Sequence, residues 1–212
     1  MVLMAALKTD RRGILRERIL RRLLQPEPNQ RRPRSLYEIA KDADVAYSWA
    51  YEIMKDAEKL HAAKGSRVTR PDRLYSYWLQ YHVPPLFSDY QVPDPAKLLT
   101  ETDLSYAVTT YGADQAIQRY LFPRRYDVCI MEKDATAWYH EILRVGFVGG
   151  GNLRLLLRDE DILKTGERHR GLRIVCLPQL ILDLIVEGGV CTEAARLLFK
   201  RLYRADPPVH WR

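Results

Sequence analysis

Cysteine, asparagine and long apolar runs are all scarce in this chain, and each scarcity excludes something. Three cysteines stand in 212 residues, Cys129, Cys176 and Cys191, odd in number and far apart. They form no C-x-x-C pair, and His61, His82, His140, His169 and His210 show no ligand spacing with them. This argues against a disulfide framework and a structural zinc site, and a reducing cytoplasm fits best. Cys129 and Cys176 lie inside apolar runs, where a free thiol behaves as a small buried hydrophobe. Asn29 and Asn152 are the only asparagines, a composition in keeping with a heat-adapted source. Apolar stretches such as Leu180–Val186 fall far short of a bilayer span, so no membrane association is expected. Met1–Leu7 is apolar and then runs into Lys8, Asp10, Arg11 and Arg12. A secretory signal has the reverse order, so none is expected.

What is present is an ordinary globular composition, 47% hydrophobic and 29% charged, in a chain long enough for one large domain or two modest ones. Its charge is unevenly spread. The net +7 falls entirely in residues 1–75, which hold 17 Lys and Arg against 10 Asp and Glu, while residues 76–212 hold 17 of each. Concentrated in this way, the excess reads as an electrostatic footprint for a polyanion, and duplex DNA is the obvious one.

The same first third is patterned as a winged helix-turn-helix. Ile14, Leu15, Ile19, Leu23 and Leu24 recur at helical spacing over Arg11–Leu24. Arg11, Arg12, Arg16, Arg18, Arg21 and Arg22 are expected to cover the exposed side of that helix. A basic, proline-rich linker follows, Gln25–Arg34. Ser35 and Glu38 make a capping-box pattern for a second helix with Leu36, Ile39 and Ala40 inward. After a turn at Asp42–Asp44, a third helix is expected over Ala46–His61, burying Val45, Ala50, Ile53, Met54, Ala57 and Leu60. Gly65, with β-branched residues and arginines around it, suits a short β-wing over Lys64–Pro71. Asp72–Tyr81 reads as a bridging helix with Leu74, Tyr75, Trp78 and Leu79 on one face, and Pro84, Pro85, Pro93 and Pro95 mark a rigid linker or edge loop.

From about Leu98 strands alternate with helices. Strands are expected at Tyr106–Thr110, Tyr126–Met131, Leu153–Leu157 and Leu172–Leu177. Helices are expected at Gly112–Leu121, Ala135–Leu143, Pro178–Glu187 and Thr192–Tyr203. The fold class is therefore α+β or mixed: a winged helix-turn-helix at 1–72, a helical linker at 73–97, and an α/β domain with a small mixed sheet at 98–212.

With its apolar face buried, the third helix would present Tyr47, Ser48, Tyr51, Glu52 and Lys55, and the N-terminal residues of such a helix reach base edges in a major groove. Lys55 would neutralise a phosphate, Arg67 and Arg70 on the wing would reach the minor groove or flanking phosphates, and Arg31, Arg32 and Arg34 could add phosphate contacts. Glu52 counts against DNA unless it accepts from a cytosine amine. For catalysis the sequence offers little. Gly65-Ser66 lacks the Asp-x-Asp of a nucleotidyltransferase, and Gly149-Gly150-Gly151 lacks a Walker lysine and reads as a mobile turn. Asp159-Glu160-Asp161 reads as a solvated turn. The expected function is therefore that of a non-enzymatic, sequence-specific DNA-binding transcriptional regulator. The alternative is a nuclease or nucleotidyltransferase whose metal ligands would come from distant positions, for example Asp127 with Glu141 or Asp159. No cofactor or metal is implied.

Three segments carry a resemblance: "RPDRLYSYW" after the wing, "YAVTTYGADQAI", and the closing "LRIVCLPQLILDLIVEGGVCTEAARLLFKRL". Their order, spanning about Leu15 to Leu202, resembles type IV antitoxins of the AbiEi family. The resemblance implies an N-terminal domain that binds the operator of its own toxin–antitoxin operon and a C-terminal domain that supports antitoxicity. It also implies a toxin encoded separately. On it the DNA contacts would be Tyr47, Ser48, Tyr51, Lys55, Arg67 and Arg70. Independently of the resemblance, a homodimer is expected because many DNA-binding regulators read paired half-sites. The long linker Gln25–Arg34 departs from the tighter turn such proteins would have.

Overall fold

The computed structural model describes residues 11–26, 34–208 and 211. Helix α1 (Arg11–Leu24) follows its apolar spacing and buries Ile19, Leu20, Leu23 and Leu24. Its arginines do not all behave as a solvated face. Arg11 and Arg12 are exposed, but Arg21 and Arg22 are buried, Arg21 to 1% exposure. Part of the reason lies at the end of α2 (Leu36–Asp42), whose last carbonyls have no partner within the helix. Arg22 Nη2 donates to the Asp42 carbonyl at 3.0 Å and Arg18 Nη1 to that of Ala43 at 3.5 Å. Four residues apart on α1, the two guanidinium groups share a face and oppose the negative end of the α2 dipole. At its other end α2 has the expected capping box. Ser35 Oγ accepts from the Glu38 amide at 3.2 Å, and Glu38 Oε2 accepts from the Ser35 amide at 2.7 Å.

Helix α3 (Tyr47–Lys59) buries Ala50, Ile53, Met54 and Ala57 as expected. Leu60, expected inward, is 41% exposed. It is the C-cap, and the left-handed His61 (φ 52°) that follows turns the chain off the helix face. Strands β1 (Ala63–Lys64) and β2 (Arg67–Val68) pair antiparallel around Gly65, whose φ of +56° suits the tight turn. Helix α4 (Pro71–Gln80) opens on Pro71, which fits a first turn that needs no N–H. It buries Leu74, Tyr75, Tyr77 and Trp78; Leu79, expected among them, is half-buried.

The described residues up to Val83 and those from Phe199 onward form one compact unit, and Pro84–Leu198 forms the other. Within the first, Tyr75 stacks on Trp78 (6.1 Å between centroids) and meets Phe199, Tyr203 and Trp211 edge-on at 5.6–6.1 Å. Tyr203 Oη also donates to the Leu24 carbonyl at 2.7 Å.

The second unit is mixed α/β. Its elements are β3 (Phe87–Gln91), α5 (Pro95–Glu101), β4 (Ala107–Thr109), α6 (Thr110–Ile117), β5 (Tyr126–Ile130), α7 (Ala135–Leu143), β6 (Phe147–Val148), β7 (Leu153–Leu157), α8 (Glu160–Lys164), β8 (Glu167–His169), β9 (Leu172–Ile174), α9 (Leu177–Glu187) and α10 (Val190–Tyr203), which runs on into the first unit. The four expected strands are all there, but the sheet is larger than expected, with seven strands in the order β6-β3-β7-β5-β4-β9-β8. Pairs β5–β7 and β4–β9 are parallel and the others antiparallel.

The largest departure is β3, which lies where prolines suggested a linker. Those prolines flank the strand and none interrupts it. Its partners are remote in sequence: Asp89 takes a bidentate bond from Arg154 of β7 (2.6 and 3.1 Å), and the Arg154 guanidinium lies 4.2 Å over the Phe87 ring. Asn152 clasps Val92 just beyond, accepting from its amide at 3.0 Å and donating to its carbonyl at 2.8 Å. Gly151 packs so closely there that a Cβ would stand 2.3 Å from the Tyr90 carbonyl oxygen, so at least one residue of the triglycine answers to packing. Asp159-Glu160-Asp161 is not a solvated turn. Asp159 is the N-cap residue of α8, and Asp161 is buried on its first turn beside the buried Ile162 and Leu163. Cys129, Cys176 and Cys191 are all buried, and none of them forms a disulfide. Among the described residues no helix is long and apolar enough to cross a membrane.

Candidate nucleic-acid interface

The exposed side of α3 follows from its buried side. With Ala50, Ile53, Met54 and Ala57 inward, the helical period turns Tyr47, Ser48, Tyr51, Glu52 and Lys55 outward, and all five are exposed. Tyr47 (52% exposed) and Tyr51 (45%) are one turn apart and stack, with ring centroids 6.4 Å apart and planes 20° from parallel. The Lys55 ammonium lies 4.7 Å over the Tyr51 ring and 3.9 Å from the Glu52 carboxylate. The result is a ridge of two aromatic rings ending in a cation. The N-cap of the helix is Ala46, whose side chain makes no capping bond. Trp49 lies at the edge of this face, half-buried, with the Arg16 guanidinium 5.7 Å from its ring and 4.0 Å from that of Tyr81.

The hairpin is fastened to the same helix. Glu58 Oε1 accepts from the Gly65 amide at 2.9 Å, and the amides of Thr69 and Arg70 both donate to the Ala62 carbonyl. Register places Lys64 directly opposite Arg67. Both are exposed, and among the described residues neither makes an ion pair. Like charges across a strand pair repel, and a bound anion would relieve that cost. Lys64 was not singled out in the sequence, although a two-residue turn at Gly65-Ser66 fixes it opposite Arg67.

Arg70 is less free. It grips Asp72 through two bonds of 3.0 and 2.8 Å. Burial alone would raise the Asp72 carboxyl, and the Arg70 guanidinium turns the shift downward, which keeps the pair charged. Arg34 is also engaged, donating to the Arg22 carbonyl at 2.5 Å and lying 3.6 Å from Asp42. Arg31 and Arg32 lie outside the described residues. Tyr47, Ser48, Tyr51 and Lys55 thus share one helix face, Arg67 and Arg70 flank the hairpin, and Arg34 holds α1 to α2.

The carboxylates weighed for metal chemistry are occupied differently. Asp127, on β5, is buried and takes a bidentate bond from Arg125 (2.6 and 3.1 Å) and another from the Thr110 hydroxyl. Arg125 reaches on to Glu187 at 2.9 Å, which also accepts from Tyr111 Oη at 3.2 Å. Glu141 pairs with Arg144 at 3.2 Å. Among the described residues no group of three or more His, Cys, Asp or Glu side chains could hold a metal ion. Thr110 has φ +46°, a rare conformation for a β-branched residue, and the neighbouring sequence gives no sign of it. No protein-family model, curated protein or solved structure matches the chain.

Proposed function

We propose that the N-terminal unit is a winged helix-turn-helix that binds duplex DNA sequence-specifically, with α3 as its recognition helix and the β1–β2 hairpin as its wing. On this reading the protein is a non-enzymatic transcriptional regulator, an antitoxin-type repressor of its own operon with a separately encoded toxin. The exposed Tyr47–Tyr51–Lys55 ridge, on the part of the chain that holds the entire +7 charge, is the observation that carries the reading. Lys64, Arg67 and Arg70 would meet phosphates beside the groove and fix the register.

Base readout would fall to Tyr47, Ser48, Tyr51 and Glu52. The outer face of the first turns has no Arg, Asn or Gln, the side chains that pair bidentately with guanine or adenine. Tyrosine rings can instead pack on thymine methyl groups, and Glu52 can accept from a cytosine amine. A pyrimidine-rich strand bearing thymines is the expected target.

The test is fluorescence-anisotropy binding of the DNA upstream of the gene against a scrambled duplex at several salt concentrations. The reading predicts a preference of about a hundredfold or more and a steep salt slope. Equal, weak binding to both duplexes overturns it.

A further inference from the structure

Between α6 and β5 the chain presents Arg119, Tyr120, Phe122 and Arg124 to solvent. Phe122 is 82% exposed, the most exposed of the large apolar side chains among the described residues, and Tyr120 is 44% exposed. A ring left this far in water gains nothing for the fold. The segment is nonetheless held in a defined shape. Asp114, wholly buried in α6, accepts from the Leu121 amide at 2.6 Å and from the Gln118 side chain. Gln118 Nε2 also donates to the Ala194 carbonyl at 3.0 Å. Leu121, which separates the two exposed residues in sequence, is buried, and Pro123 restricts the backbone beyond Phe122. The loop therefore meets a partner already ordered, with little entropy left to lose.

Its charges point the same way. Arg119 and Arg124 are exposed, and among the described residues neither makes an ion pair; Arg125, next in sequence, is turned to Asp127 and Glu187. Arg119 closes α6 with φ +58°. Glycine takes that left-handed position at lower cost.

We propose that the Gln118–Arg124 loop is a docking element for a partner protein that offers an apolar pocket rimmed by carboxylates. Phe122 fills the pocket, Tyr120 covers its edge, and Arg119 and Arg124 meet the acidic rim. Large aromatics and arginine are the side chains that dominate protein interfaces. A nucleic acid is the less favoured occupant, because residues 76–212 hold 17 basic and 17 acidic residues and generate no net field for a polyanion. The proposal does not depend on DNA binding by α3.

The test replaces Phe122 with the photo-crosslinker p-benzoylphenylalanine in the full chain, expressed in cells of the source organism. A protein adduct is identified, and that protein is purified and titrated against unmodified chain and variants. The expected result is that Phe122→Ala weakens binding about thirtyfold. Arg119→Glu with Arg124→Glu should weaken it at least about tenfold and slow association. Tyr37→Ala, which removes an exposed aromatic elsewhere, should leave affinity unchanged. Phe122 supports no core, so its variants should melt with the parent. Adducts only with a second copy of the chain, adducts only with nucleic acid, no adduct, or equal affinity of the Phe122→Ala variant each overturn the proposal.

Discussion

Removing the cations beside α3 should flatten the salt dependence of DNA binding by an amount that can be worked out residue by residue. Each phosphate neutralised contributes about 0.9 to the slope of log K against log salt. Lys55, Arg67 and Arg70, each against one phosphate, would give about 2.7, or roughly fortyfold weaker binding between about 50 and 200 mM salt. Their contributions should differ. Lys55 is held by the exposed Glu52 at 3.9 Å and by the exposed Tyr51 ring at 4.7 Å, both weak contacts in water, and Arg67 makes no ion pair among the described residues, so each alanine variant should lower the slope by about 0.9. Arg70 must first leave Asp72, which it grips at 2.8 and 3.0 Å, so Arg70→Ala should change the slope less. For the same reason Asp72→Asn, which frees Arg70, should strengthen binding and steepen the slope. Arg34→Ala is the control: its guanidinium is engaged by the Arg22 carbonyl and Asp42, so it should cost stability rather than slope. Anisotropy titrations at five salt concentrations would supply the slopes. A slope unchanged in the Lys55→Ala, Arg67→Ala, Arg70→Ala triple variant would show that this face does not meet the phosphates.

Replacing operator thymines one at a time by deoxyuridine should cost about 0.8 kcal/mol, roughly fourfold, wherever Tyr47 or Tyr51 covers the methyl group; equal affinity at every position would remove the tyrosines from base readout. Ser35→Ala breaks the capping box of α2 and should lower stability by about 1 kcal/mol in urea denaturation, whereas an unchanged midpoint would mean that α2 is held by packing alone. Tyr77 gives a pH prediction. Burial pushes its phenol up to about 12, with Arg16 opposing and Asp56 adding to the shift. The unfolded phenol titrates near 10, so the neutral form stabilises the fold fully below about pH 10, and this contribution is lost as the pH rises through 12. The stability difference between parent and Tyr77→Phe should therefore shrink between about pH 9 and 12, and parallel pH profiles would refute the assignment.

Local chemistry was readable where neighbours in sequence are neighbours in space. The bounds of α1, α7 and β7 follow from apolar spacing alone. The capping box of α2 and the turn at Gly65 follow from residues within three or four positions of one another. So does the outer face of α3, because burying Ala50, Ile53, Met54 and Ala57 leaves no other direction for Tyr47, Ser48, Tyr51 and Lys55. Position on the helix makes these residues candidates for DNA contact; it does not reveal that Tyr47 and Tyr51 stack or that Lys55 covers a ring.

What only the tertiary structure decided depends on partners far along the chain. Strand β3 has little alternation of its own and exists through pairing with β7 and β6, sealed by Asp89 and Arg154, 65 positions apart. The arginines of α1 look alike in sequence, but Arg18 and Arg22 serve carbonyls 25 and 20 residues away, while Arg11 and Arg12 remain exposed. Periodicity shows which face of an element is apolar; it does not show which polar group waits opposite the other face. Tyr75 likewise meets Phe199, Tyr203 and Trp211 only because the end of the chain returns to the first unit. The sequence by itself determined the elements whose pattern is local, such as α1, α7, β7 and the capped α2, and the sign of the charge they carry. The fold decided which charges are tied up internally and which stay free, because a long-range ion pair or cap is set by distance in space, which no local pattern encodes.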